Sequence, residues 1–189
     1  MSTVPSKPGS PRSSRTLIIV LAVALVIALC GVVGLFAAFL SQAGADTRVG
    51  TTQPTATIAA TATPSQHSLA VAYTALVGRD ANTLSDALGA VSDQCGSDVA
   101  ACDTAVVAAS NTDKSFLHDI QGTQVPACFQ AADATLQDGL SALYGGLIDS
   151  HTGLQAQDGA LVTQGAHEIT AANTTIARAT KQIAQVSCP

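Results

Sequence analysis

A run without a single charge, Leu17 to Leu40, constrains this chain more than any other feature. As a helix rising ~1.5 Å per residue it would reach ~36 Å, enough to cross a ~30 Å hydrocarbon core with some tilt. Lys7, Arg12 and Arg15 precede it with no acidic residue, and the first charges after it are Asp46 and Arg48. The positive-inside bias then predicts a cytoplasmic N-terminal tail over 1–16, a single-pass signal-anchor transmembrane helix over 17–40, and an extracytoplasmic remainder at the cell membrane.

Two processing alternatives compete with a retained anchor. Ala43-Gly44-Ala45 has the A-x-A pattern of a signal-peptidase site, and cleavage between Ala45 and Asp46 would give a secreted form. The apolar cores of such leaders usually run ~7–15 residues, shorter than this one. Cys30, after Ile27-Ala28-Leu29, looks only loosely like a bacterial lipidation site, because Leu29 stands where a small residue is expected. All three routes leave the C-terminal part on the outer side.

Charge narrows the function classes. Charged residues make up 11% of the chain and aromatic ones 3%, whereas an ordinary globular protein carries ~25% charged residues. All 13 acidic residues lie at or after Asp46, where the only basic ones are Arg48, Arg79, Lys114, Arg178 and Lys181. A segment so acidic does not bind nucleic acid by neutralising phosphates, and it offers no basic patch to anionic lipid headgroups.

Residues 41–63 are rich in Thr, Ala and Pro and nearly devoid of bulky apolar side chains. Such a stretch cannot bury enough surface to offset its ordering entropy, so it reads as an extended linker. Thr63-Pro64-Ser65-Gln66 then supplies a helix start, with Thr63 as N-cap, Pro64 at the first helical position and Gln66 at the capping-box position.

From there to the end, over 64–189, the pattern is helical. The first helix is expected over about 64–91, with Leu69, Tyr73, Leu76, Leu84, Leu88 and Val91 on one stripe. The second, about 97–121, places Val99, Cys102, Val106, Ala109, Phe116 and Ile120 at steps of three and four, interrupted by Asp113. A third, about 126–150, carries Phe129, Ala132, Leu136, Leu140, Leu143 and Leu147. In the fourth, about 157–186, Val162, Ile169, Ile176 and Ile183 recur every seven residues, with Ala172, Ala179 and Val186 each three further on. That is a narrow coiled-coil-like seam. Four such helices with short joints predict an all-α, up-down-up-down four-helix bundle. Gly96, Gly122 and Gly153 fall near the joints, where left-handed C-caps are expected.

Many stripe positions are Ala, which buries little apolar area, so cross-links are the expected reinforcement. Outside the cell, Cys95, Cys102, Cys128 and Cys188 point to two disulfides. In the bundle, Cys95 ends the first helix and Cys102 begins the second, while Cys128 begins the third and Cys188 ends the fourth. Any other pairing would have to span ~35 Å of helix, whereas a disulfide needs Cα atoms within ~7 Å. The expected bonds are therefore Cys95–Cys102 and Cys128–Cys188. The same geometry excludes four thiolates on one zinc ion, and no C-x-x-C occurs.

Chemistry is scarce. His67, His118, His151 and His167 have no metal-ligand partner at helical spacing, and Glu168 is the only glutamate. There is no H-E-x-x-H, no G-x-S-x-G, no S-x-x-K and no Gly-rich phosphate loop. No cofactor, metal or catalytic residue is assigned, the histidines are expected at the solvated surface, and the chain is expected not to be an enzyme. Asp113 is the candidate buried carboxylate. It either faces the core as a ligand-binding or register-setting group meeting Arg79, or turns to solvent beside Lys114 by a slight helix rotation. The second outcome is the expectation, because an unpaired buried charge is costly.

The favoured expectation is a non-catalytic interaction or accessory module of the cell envelope, held at the membrane through Leu17 to Leu40 and docking a protein partner. The alternative is a small-ligand-binding bundle with a site near Tyr73, Phe116, Phe129 and Tyr144. A pocket of ~300 Å³ or more needs walls of bulky residues, which an Ala-rich core supplies poorly.

Overall fold

The computed structural model describes residues 65–96 and 98–188. The expected tail, membrane helix, linker, Ala45/Asp46 cleavage point and Cys30 all lie outside the described residues. Among the described residues no helix is long and apolar enough to cross a membrane.

Four helices follow one another: α1 over Gln66–Cys95, α2 over Val99–Gln121, α3 over Gln130–Ala156 and α4 over Gly159–Gln185. A short 3-10 turn, Ala127–Phe129, leads into α3. Consecutive helices pack antiparallel. The helix starts are set by local side chains: Ser65 accepts from the Ser68 amide at 3.1 Å, Asp98 from that of Ala101 at 3.1 Å, and Asp158 from those of Ala160 and Leu161 at 2.9 and 3.2 Å. Each satisfies amides that the first helical turn leaves unpaired.

The N-cap of α1 is thus Ser65 rather than Thr63. The Gln66 amide does not close a capping box; it reaches across to accept from the Ala127 backbone at 3.2 Å. Nor do left-handed glycines end the helices. Gly96 and Gly122 are right-handed, with φ of −79° and −80°, and among the described residues the one positive φ belongs to Gln157, at 55°. α3 also runs past Ser150 to Ala156, so Gly153 lies inside the helix.

Gly153 is inside because α3 and α4 meet almost backbone to backbone. Gly139, Gly146 and Gly153 recur every seven residues on α3 and are buried. A Cβ at Gly139 would stand 2.8 Å from Ile176 Cγ1, at Gly146 2.8 Å from the Gly165 carbonyl oxygen, and at Gly153 2.7 Å from the Val162 amide. The heptad of Val162, Ile169 and Ile176 on α4 therefore runs along a groove made by missing side chains.

The larger side chains fill the rest of the core: Tyr73 and Leu84 from α1, Phe116 and Ile120 from α2, Leu136, Leu140, Leu143 and Leu147 from α3. Two positions assigned to apolar stripes are instead at the surface. Val99 is 53% exposed and Val186 43% exposed, because each stands at a helix end where no neighbouring helix covers it. On the sparsely charged outer faces Thr hydroxyls donate back to the carbonyl four residues earlier, as Thr104 does to Ala100 at 2.9 Å and Thr135 to Ala131 at 3.0 Å. That bond keeps a hydroxyl satisfied without breaking the helix.

Disulfides join Cys95 to Cys102 and Cys128 to Cys188, with Cα separations of 4.2 and 5.7 Å. The first closes the α1–α2 hairpin at one end of the bundle. The second closes α3–α4 at the other end, where Ser65 enters.

Candidate functional site

α2 is the structural intermediary, in broad contact with both α1 and α3, whereas α1 and α4 barely meet. On this helix Asp113 is completely buried, and neither carboxylate oxygen has a hydrogen-bond partner. The expectation that it faces solvent is overturned. Ala109, Phe116 and Ile120 on the same face are all held in the core, and a regular helix cannot rotate one residue out from between them. Burial pushes its carboxyl up to about 7, since removal from water penalises the charged form.

Arg79 does not reach Asp113. Its guanidinium holds Asp80 through Nε at 2.6 Å and Nη2 at 3.0 Å, and bridges to Asp119 on α2 at 3.0 Å. Asp80 is therefore a buried carboxylate with a partner, the opposite case to Asp113.

A third buried carboxylate was not anticipated. Asp133 on α3 accepts from the Tyr73 hydroxyl at 2.5 Å and from Gln137 Nε2 at 2.7 Å. Burial and the neighbouring carboxylate push the Tyr73 phenol well above its ordinary range. Tyr73 also stacks obliquely on Phe129, their centroids 5.8 Å apart. Of the four aromatic residues proposed to line a ligand site, Tyr73, Phe116 and Phe129 belong to the core cluster. Tyr144 instead lies at the α2–α3 edge, beneath the Lys114 ammonium at 5.2 Å.

His67, His118 and His167 are exposed. His151 is not fully solvated: its Nδ1 lies 2.5 Å from Asp103 Oδ1, tying α3 to α2. Among the described residues no group of three or more His, Cys, Asp or Glu side chains could hold a metal ion.

Charge is segregated along the bundle. In the half that ends at Cys95–Cys102 lie Asp86, Asp93, Asp98, Asp103, Asp149, Asp158 and Glu168, with no Lys or Arg. Among the described residues every Lys and Arg (Arg79, Lys114, Arg178 and Lys181) lies in the other half, toward Ser65 and Cys188, beside Asp80, Asp113, Asp119, Asp133 and Asp138. Of the far-end carboxylates, Asp98 and Asp158 accept from amides, Asp149 and Glu168 from Gln164, and Asp103 lies against His151, and none of the seven pairs with a Lys or Arg among the described residues. Sequence spacing alone conceals this, because the acidic residues come together only when helix ends are matched.

The fold defines the class: an all-α, disulfide-linked four-helix protein with one end bearing carboxylates and no Lys or Arg among the described residues, and one buried carboxyl, Asp113, that has no partner. No protein-family model, no curated protein and no solved structure matches the chain.

Proposed function

We propose that this protein is a non-catalytic docking module of the cell envelope, tethered to the membrane through Leu17 to Leu40 and presenting its acidic end to a basic protein partner. The observation that carries this reading is the charge segregation. The tether joins the bundle at Ser65, in the half that holds every Lys and Arg of the described residues, so the half with carboxylates and no Lys or Arg is the one farthest from the attachment point. A field of one sign concentrated at one end steers an oppositely charged partner and orients its approach. The thin inventory of acid–base groups supports a binding role over catalysis, and the acidic surface excludes nucleic acid as the partner.

The test is crosslinking of the full chain in membranes of its host, followed by affinity purification and mass spectrometry. It compares wild type with a triple Asp86→Asn, Asp93→Asn, Asp149→Asn variant and with Asp138→Asn at the opposite half. A near-stoichiometric basic partner that is lost only with the triple variant is the expected result. Recovery of the protein alone, while known neighbours crosslink, would sink the reading.

A further inference from the structure

The bundle is built as two leaves. α1 and α2 form one hairpin closed by Cys95–Cys102, and α3 and α4 form another closed by Cys128–Cys188 and by the glycine-lined seam. The leaves meet chiefly along α2 and α3, and Asp113 stands on α2 with both oxygens unpartnered and no exposure to solvent.

We propose that Asp113 makes the closure of these two leaves depend on protonation, with the neutral acid permitting the closed bundle and ionisation favouring its opening.

A buried neutral carboxyl without partners is tolerable, whereas a buried carboxylate in the same place is not. No other group relieves it. From α1, Arg79 is committed to Asp80 and Asp119, and Asp86 is exposed. From α3, Tyr144 lies under Lys114 and Asp138 is exposed. From α4, Glu168 accepts from Gln164, and His167 is exposed. The disulfides limit how far ionisation propagates. Each leaf remains covalently closed, so the α2–α3 seam is where the strain is released.

The sign follows from linkage. In the closed bundle the carboxyl titrates at about 7, and in the open or unfolded chain at ~3.9. Below ~4 both forms hold the proton and the closed state is undisturbed. As pH rises from ~4 to ~7, the opening constant climbs roughly tenfold per unit, about a thousandfold in all, and then levels off.

Two measurements on the full chain in lipid nanodiscs test this. The first is hydrogen exchange of α2 and α3 amides across that window, corrected for intrinsic exchange and compared between wild type and Asp113→Asn. Wild type is expected to lose protection steeply with pH relative to the variant; parallel profiles would overturn the proposal. The second is the carboxyl carbon resonance of Asp113 in wild type, which stands even if the variant fails to fold. A midpoint near neutrality is expected, and one in the ordinary carboxylate range would overturn the proposal.

Discussion

Gly165 of α4 faces Gly146 of α3 so closely that a Cβ on Gly165 would lie 2.5 Å from the Gly146 carbonyl oxygen and 2.7 Å from the Ser150 amide. The contact is backbone against backbone, so no rotamer change can make room. Ser150, beside it, is buried and donates to the Gly146 carbonyl at 2.8 Å.

Adding one methyl group at this seam should separate the two helices. Gly146→Ala and Gly165→Ala are each expected to destabilise the bundle by about 2 kcal/mol, the range of overpacked cores, despite the better helix propensity of alanine. Gly145→Ala is the control. Nothing lies within 4 Å of a Cβ there, so that change should stabilise by about 0.5–1 kcal/mol. Urea unfolding followed by circular dichroism separates the two signs.

Tyr73→Phe removes the hydroxyl that Asp133 accepts from and leaves that carboxylate with Gln137 alone. Loss of a hydrogen bond to a charged acceptor costs about 2 kcal/mol. The same burial keeps the phenol protonated well above its usual range. In a Tyr144→Phe background, where Tyr73 is the only tyrosine left, ultraviolet absorbance should show no phenolate until the bundle unfolds in alkali. An ordinary titration near pH ~10 would place the hydroxyl in water instead.

The two disulfides should contribute unequally. Cys128–Cys188 spans 60 residues and Cys95–Cys102 spans 7. On the chain-entropy account they stabilise by about 4 and about 2.5 kcal/mol respectively. Replacing Cys128 and Cys188 together by Ser should therefore lower the urea midpoint more than replacing Cys95 and Cys102. Equal losses would show that the reduced unfolded chain keeps structure across the longer loop.

Much of this architecture was legible in the chain. The steps of three and four in 97–121 and the heptad of Val162, Ile169, Ile176 and Ile183 define helices with one apolar face. Once four helices alternate in direction, only Cys95 with Cys102 and Cys128 with Cys188 lie at common ends. The glycine groove was not read from the chain, although Gly139, Gly146 and Gly153 stand seven apart, because Gly153 near a joint suggested a cap. Its role becomes clear only beside Val162.

Local pattern determined the helices and their order, because backbone hydrogen bonding and side-chain period act within a few residues along the chain, and the alternation of helix direction then selected the cysteine pairs. Tertiary structure alone decided that Asp113 is buried without a partner, that Asp133 meets Tyr73, and that the half away from Ser65 holds seven carboxylates and, among the described residues, no Lys or Arg. Each depends on what stands opposite in space, on residues tens of positions away, and burial and electrostatic field belong to the assembled helices rather than to any one of them.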